Sequence, residues 1–123
     1  MMTVCRGIRG ATTAEGNTNE AIYDATEELF NKMVEANQVK ETETAAVLFT
    51  TTQDLDAAFP ATVVRKMGWT RTALLGSQEM AVPNGLSKCI RVLILVNTDK
   101  EQDELVNVYL RGAVDLRSET DES

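Results

Sequence analysis

The sequence contains no histidine among its 123 residues. Histidine is the only side chain whose unperturbed pKa lies near neutrality. General acid–base chemistry would therefore need a glutamate, cysteine, tyrosine or lysine with a strongly shifted pKa. A reaction that moves no proton fits this composition more easily. A Cys–His metal site is excluded, because the sequence also has only 2 cysteines.

Cysteine, proline and long apolar runs are scarce as well. Cys5 and Cys89 both lie in strand-like segments, and we expect two buried free thiols that act as packing residues. The sequence has 2 prolines and 7 glycines, so most of the chain should be ordered. The longest apolar run, at 92–96, is far shorter than the roughly 18 residues that suggest a membrane span. Residues 1–6 lack a basic stretch followed by an apolar one, so we expect no secretory signal and a cytoplasmic location.

The chain is acidic, with 12 Lys and Arg against 19 Asp and Glu and a formal net charge of -7. This balance argues against nucleic acid as a partner, because a nucleic-acid binder needs a basic face. It does not exclude a small anionic ligand, since a local cluster of arginines can dominate the potential of one pocket.

The order of apolar patterns predicts a single domain of the α+β (mixed α/β) class. A chain of this length can form one core but not two. Period-two alternation and short apolar runs predict five strands, and helical periodicity predicts one long and one short helix. The predicted strands cover residues 3–10, 45–51, 70–75, 88–96 and 106–114, with 88–96 in the centre. Two helices cover only one face of such a sheet, so we expect other subunits to bury the second face.

Local signals predict where the helices begin and end. Asn17, followed three residues later by a glutamate, has the spacing of a capping box before the long helix. Asn37 is the expected stop of that helix. Pro60 suits the first turn of the short helix. The domain is expected to cover residues 1–117, and the polar, acidic residues 118–123 are expected to form a flexible tail.

Arg91 is a charged residue inside the most apolar predicted strand. A buried guanidinium needs an anionic partner or a ligand. The residues alone leave two other readings open, a structural ion pair with Glu79 or an arginine at the sheet end that reaches solvent. Other candidate residues also have ordinary structural readings, as surface side chains for Arg9, Arg65 and Arg117 and as packing residues for Phe59 and Tyr109.

Five stretches of the sequence together resemble the monofunctional chorismate mutases of the Bacillus type. They are residues 6–13 (RGIRGATT), 54–61 (DLDAAFPA), 78–80 (QEM), 88–92 (KCIRV) and 108–110 (VYL), the last followed by Arg117. The stretches occur in order and cover nearly the whole chain. The resemblance implies a homotrimer with a single mixed sheet in each subunit, a pseudo-barrel assembly, and active sites at the subunit interfaces.

The resemblance also implies the reaction, a Claisen-type rearrangement of chorismate to prephenate that uses no cofactor and no metal. It implies that Arg91 faces the breaking ether bond and that Glu79 binds the ring hydroxyl. Arg9 and Tyr109 would then hold the side-chain carboxylate of the substrate. The remaining substrate-binding positions that it implies are Phe59, Arg65, Gly76, Leu116 and Arg117.

Two positions depart from the pattern of the relatives. Relatives in the family that the sequence resembles have a cysteine at the position of Gly76. The backbone at this position is expected to contact the ligand. Thr62 stands where a lysine is familiar, which removes one positive charge from the mouth of the pocket. Three other functions are also considered: a non-catalytic trimeric binder of a small anionic metabolite, an imine deaminase on a related trimeric fold, and a structural trimerisation module. The joint presence of Arg91 and Glu79 favours the mutase.

Overall fold

A five-stranded sheet and two helices make up the structure, a computed structural model that describes residues 2–116. The strands are β1 (Val4–Thr13), β2 (Thr44–Thr51), β3 (Ala73–Gln78), β4 (Cys89–Thr98) and β5 (Val108–Tyr109). The helices are α1 (Asn19–Asn37) and α2 (Pro60–Lys66). Single 3₁₀ turns lie at Glu41–Glu43, Gln102–Glu104 and Arg111–Ala113.

The strand order is β3-β2-β4-β1-β5, which places β4 in the centre as the sequence predicts. Strand β4 pairs antiparallel with both β1 and β2. The outer pairs, β1 with β5 and β2 with β3, are parallel. The predicted α+β class, with one mixed sheet, one long helix and one short helix, is confirmed.

One face of the sheet packs against the helices and forms the core. Alternate residues of β4, among them Val92 and Ile94, are buried there. The apolar stripe of α1, including Leu29, Phe30 and Met33, is fully buried against them. Burying each such side chain contributes about 1.5–3 kcal/mol, so this layer stabilises the packing of the sheet against the helices.

The opposite face of the sheet, called the open face below, has no helix among the described residues to cover it. Strand residues point alternately to the two faces. Leu48, Leu93 and Leu95 therefore point away from the core, lie outside its clusters and are only half-buried. Leu75 on the neighbouring β3 is 63% exposed. The expected uncovered apolar face is present in the single chain.

Helix α1 begins one residue later than the capping prediction requires. The N-cap is Thr18, whose hydroxyl oxygen accepts a hydrogen bond from the Ala21 N–H at 3.1 Å. Asn17 is engaged elsewhere, because its side-chain oxygen accepts from the backbone N–H groups of Asp56 and Ala57. The predicted end at Asn37 is confirmed, and the next residue, Gln38, is left-handed with φ of 54°.

Three strand predictions are wrong in their extent. Strand β1 continues past residue 10 to Thr13, because it pairs with β4 over this length. Strand β3 begins at Ala73 rather than residue 70 and continues through Gly76 to Gln78, since it pairs with β2 over its whole length. Strand β5 is two residues long, not the nine predicted at 106–114. Arg111 adopts φ of 51°, a left-handed conformation that ends the extended chain.

The two cysteines are both free, and only Cys89 is buried. The prediction of a buried thiol is wrong for Cys5, which lies exposed near the start of β1. In the β1–β4 ladder Cys5 pairs with Asn97 and Cys89 pairs with Thr13, so the two thiols lie at opposite ends of the ladder and cannot bond to each other. No helix within residues 2–116 is long and apolar enough to cross a membrane.

Helix α1 crosses β1 so closely at Gly10 that a side chain has no room there. A Cβ atom at this position would overlap the Met33 sulfur and lie 3.1 Å from Leu29 Cδ1. Both helix residues are fully buried and have little freedom to move aside. Gly10 lies between Arg9 and Ala11 on β1, so this packing also fixes the distance between the helix layer and the part of β1 that carries these two residues.

We predict that Gly10→Ala lowers the free energy of unfolding by about 1–3 kcal/mol, the usual cost of overpacking a core. This exceeds the gain of about 0.4–1 kcal/mol that a Gly→Ala change gives by restricting the unfolded chain. Urea unfolding at equal chain concentration measures the difference. Gly16→Ala is the matched control, because nothing lies within 4 Å of its added Cβ, and it should be neutral or stabilising. Equal stability of the two variants would contradict the prediction.

Candidate active site

A cleft of about 270 Å³ on the open face brings four predicted site residues together. We call it the arginine cleft. Arg9, Glu79, Arg91 and Tyr109 are among its charged and polar lining residues. Leu48 and Leu93 are among its apolar lining residues. Two guanidinium groups in an apolar recess suit an anionic ligand, because Arg can grip a carboxylate through two parallel hydrogen bonds.

The strand registers explain why these residues meet. In the β1–β4 ladder Ala11 lies opposite Arg91, and Arg9 lies opposite Leu93, two residues further along. In the β1–β5 pair Ala11 lies opposite Tyr109. Residues in register share a face, so Arg9, Arg91 and Tyr109 all belong to the open face.

Arg91 and Glu79 form an ion pair at the floor of the cleft. Arg91 Nε lies 3.2 Å from Glu79 Oε2, and the two side chains are 38% and 23% exposed, which leaves both accessible to a ligand. The buried Nε–H does not point along this contact, and among the described residues it has no hydrogen-bond acceptor. The attraction is therefore a charge–charge contact, and the N–H of Arg91 keeps its capacity to donate.

Thr50 completes the polar group at the floor. It lies opposite Arg91 in the β2–β4 ladder, and its hydroxyl donates to Glu79 Oε2. The backbone N–H of Glu79 donates to the Thr51 carbonyl at 2.8 Å, which ties the end of β3 to β2. Sequence reasoning missed Thr50, because only the register of two distant strands shows that it faces Arg91. The period-two pattern of β2 does place it on the same face as Leu48.

A second cleft of about 530 Å³ adjoins the first, since Glu79 and Arg91 line both. Cys89 also lines it, and burial raises the pKa of this thiol despite the nearby charge of Arg91. The thiol therefore stays protonated at neutral pH and does not neutralise the guanidinium. A neutral Cys89 suits a packing role rather than a nucleophilic one.

The turn that leads into β4 is held by Asp54. Its carboxylate accepts hydrogen bonds from the Thr52 hydroxyl and from the backbone N–H of Lys88, and these bonds lower the pKa of Asp54. Lys88 has φ of 50°, in the left-handed region. The carboxylate thus stabilises a strained residue three positions before Arg91.

Phe59 and Gly76 lie in a different cleft, of about 450 Å³. Gly76 pairs with Phe49, a buried core residue on the helix face of β2. This cleft is therefore on the opposite side of the sheet from the arginine cleft. Phe59 precedes α2 and is 76% exposed, which is unusual for a large aromatic side chain.

The other predicted site residues that the structure describes line none of these three clefts. Arg65 is exposed near the end of α2, and Leu116 is half-buried at the end of the described chain. Arg117 and the predicted tail at 118–123 lie outside the described residues. Within residues 2–116 no three Cys, Asp or Glu side chains lie close enough together to hold a metal ion.

Comparisons with known proteins show the family of the chain. The family model for chorismate mutase type I matches residues 5–120. The chorismate mutase AroH of Thermus thermophilus is 54% identical over 113 residues, which cover 91% of this chain and 93% of that protein. The AroH protein of Bacillus subtilis is 46% identical over 113 residues, 91% of this chain and 89% of that protein.

A solved structure shows the same fold. The chorismate mutase from Clostridium thermocellum superposes with a TM-score of 0.85 at 50% sequence identity, covering 87% of this chain and 96% of that chain. These matches confirm the resemblance seen in the sequence. The chain therefore belongs to the chorismate mutase type I family, and its activity is that of a chorismate mutase, an isomerase in aromatic biosynthesis.

Proposed function

We propose that the arginine cleft rearranges chorismate to prephenate through contacts from four side chains. Arg91 faces the ether oxygen, and Glu79 binds the ring hydroxyl. Arg9 and Tyr109 hold the carboxylate on the substrate's enolpyruvyl side chain. The observation that supports these roles is that all four residues line one cleft, although they come from three different strands and the segment after β3.

The reaction needs positioning and charge stabilisation rather than acid–base chemistry. The C–O ether bond breaks while a new C–C bond forms within the same molecule, and no proton, electron or leaving group is exchanged with the protein. Chorismate must fold into a compact conformer before its ends can meet, and holding it there is a proximity effect. Negative charge grows on the ether oxygen in the transition state, where the Arg91 guanidinium binds more strongly than in the ground state.

We predict that Arg91→Lys lowers kcat by about 100- to 1000-fold, the usual cost of losing one preorganised donor at a developing negative charge. A lysine retains the charge but not the rigid fork of donors, so charge alone should not restore the rate. Loss of chorismate ultraviolet absorbance measures turnover.

Arg71→Lys is the control for the Arg91→Lys experiment, since Arg71 is exposed and lies outside the arginine cleft. It should leave kcat and KM unchanged. Near-normal turnover by a folded Arg91→Lys protein of unchanged assembly size would rule out the role proposed for Arg91.

We also propose that the active site forms between subunits of a homotrimer, in a pseudo-barrel assembly. The support is the division of predicted site residues between two faces of one sheet. Arg9 and Arg91 lie on the open face, whereas Phe59 and Gly76 lie on the helix side. Within one chain these two groups of residues cannot both contact a single small ligand, because the sheet separates them. Two neighbouring copies can each supply one group. The uncovered leucines of the open face supply apolar area for the contact.

In this arrangement the exposed Phe59 forms an apolar wall against a neighbour's arginine cleft, and the Gly76 backbone contacts the ligand. Arg65, Leu116 and Arg117 are the further substrate-binding residues of this proposal. The cytoplasm is the proposed location, supported by two free cysteines that the fold holds apart.

Subunit mixing tests the shared site. We predict that Arg91→Ala and Phe59→Asp proteins are each nearly inactive, because one lacks the key cation and the other places a carboxylate against a dianion. Co-expression of the two should restore about a quarter of the sites, since a mixed ring regenerates some interfaces with both halves intact. The assembly mass should be three times the chain mass of 13.5 kDa.

The control mixes Arg91→Ala with Glu79→Ala. Both changes lie in the same cleft of one chain, so no combination of these subunits contains an intact site. Activity should not return. Recovery in neither mixture, or a monomeric mass with full activity, would contradict the shared site without affecting the roles proposed within the arginine cleft.

A further inference from the structure

The strand that carries Tyr109 is held by very little regular pairing. Strand β5 has two residues, and its register with β1 consists of Gly10 opposite Val108 and Ala11 opposite Tyr109. One backbone hydrogen bond follows, from the Leu110 N–H to the Ala11 carbonyl at 2.9 Å. So short a strand at the edge of a sheet is a weak support for a ligand-binding side chain.

Side chains extend this pairing along β1. The backbone N–H of Arg9 donates to Asn107 Oδ1 at 2.9 Å. Further along the same edge, Gln102 Nε2 donates to the Gly7 carbonyl at 2.7 Å. The Asn107 side chain therefore takes the place of a backbone partner for Arg9, whose own side chain lines the arginine cleft.

Asn37 fixes the residue just before Asn107. It is the last residue of α1, is 6% exposed, and bonds through its side-chain amide to both the backbone N–H and the backbone carbonyl of Val106. Asn37 Nδ2 donates to the Val106 carbonyl at 2.9 Å, and its Oδ1 accepts from the Val106 N–H at 2.7 Å. A buried amide with these bonds satisfied is rigid, so the helix end anchors the approach to β5.

We propose that Asn107 is a positioning residue that sets the spacing between Arg9 and Tyr109. Asn37 in turn fixes Asn107, through its hydrogen bonds to the backbone of the preceding residue, Val106. The inference rests on the proposed function, in which these two residues hold one carboxylate. Asn107 itself binds no substrate and acts by fixing the backbone of Arg9 against β5. A displacement of about 1 Å in such a pair can cost on the order of 100-fold in rate.

The test compares Asn107→Leu with Gln102→Leu by steady-state kinetics on chorismate. Both variants remove one side-chain hydrogen bond to the same edge of β1, but only Asn107 lies beside the cleft. We expect Asn107→Leu to lower kcat/KM at least about 10-fold, and Gln102→Leu to change it less than about twofold. Equal losses in the two variants would overturn the inference, because the effect would then be general loosening of the segment.

Two further variants separate positioning from a structural role. Asn107→Asp keeps an acceptor oxygen, so kcat should return close to the original value while the added charge raises KM. In an Arg9→Ala background, Asn107→Leu should change kcat/KM less than about twofold, because the side chain that it positions is absent. Full additivity of the two changes, or no recovery of kcat by Asn107→Asp in a folded protein, would reject the proposal.

The same measurements distinguish this inference from the proposed function. If Arg9→Ala and Tyr109→Phe leave turnover unchanged, the roles proposed for the arginine cleft are wrong. If both lower turnover and Asn107→Leu does not, those roles stand and only the positioning inference fails.

Discussion

The charge of Arg91 in the central strand is the constraint on which the site depends. Removing an unpaired guanidinium from water is very costly, so the surrounding structure must supply an anionic partner. Glu79 supplies it at 3.2 Å, and Thr50 holds Glu79 in place. The pair remains partly open to solvent, and one N–H of Arg91 has no acceptor among the described residues. The resting pair thus balances the charge of Arg91 within the fold while both side chains stay partly accessible to a ligand.

The period of two in a β-strand decides the rest of the architecture. It places apolar residues of β4 against α1 and, in the intervening positions, places Arg91 and two leucines on the open face. The same alternation puts Gly76 on the helix side, away from the arginines. A single sheet therefore carries two incomplete groups of site residues, and the apolar area beside them suits contact with another copy of the chain.

Local patterns in the sequence are sufficient to predict the elements and to single out Arg91, whereas Glu79, Arg9 and Tyr109 are identified as site residues only by the resemblance to the family. Alternation identifies the central strand, and a charge within it identifies Arg91. Thr50 and Asn107 escape prediction, because their roles depend on register between strands that are distant in the chain. The extent of β5 is overestimated for a related reason: the apolar residues at 106–114 continue, but the left-handed Arg111 ends the strand. The Asn17 cap fails because Asn17 bonds to the loop before α2.

The contact between Gly10 and Met33 joins two positions that are 23 residues apart in the sequence. Space, not backbone angle, excludes a larger residue at position 10, since its φ lies outside the left-handed region. A shorter side chain at position 33 would open room for a methyl group at position 10. Related sequences should therefore vary these two positions together, with bulk gained at one compensated by bulk lost at the other. Such covariation would reflect the fixed distance between α1 and β1.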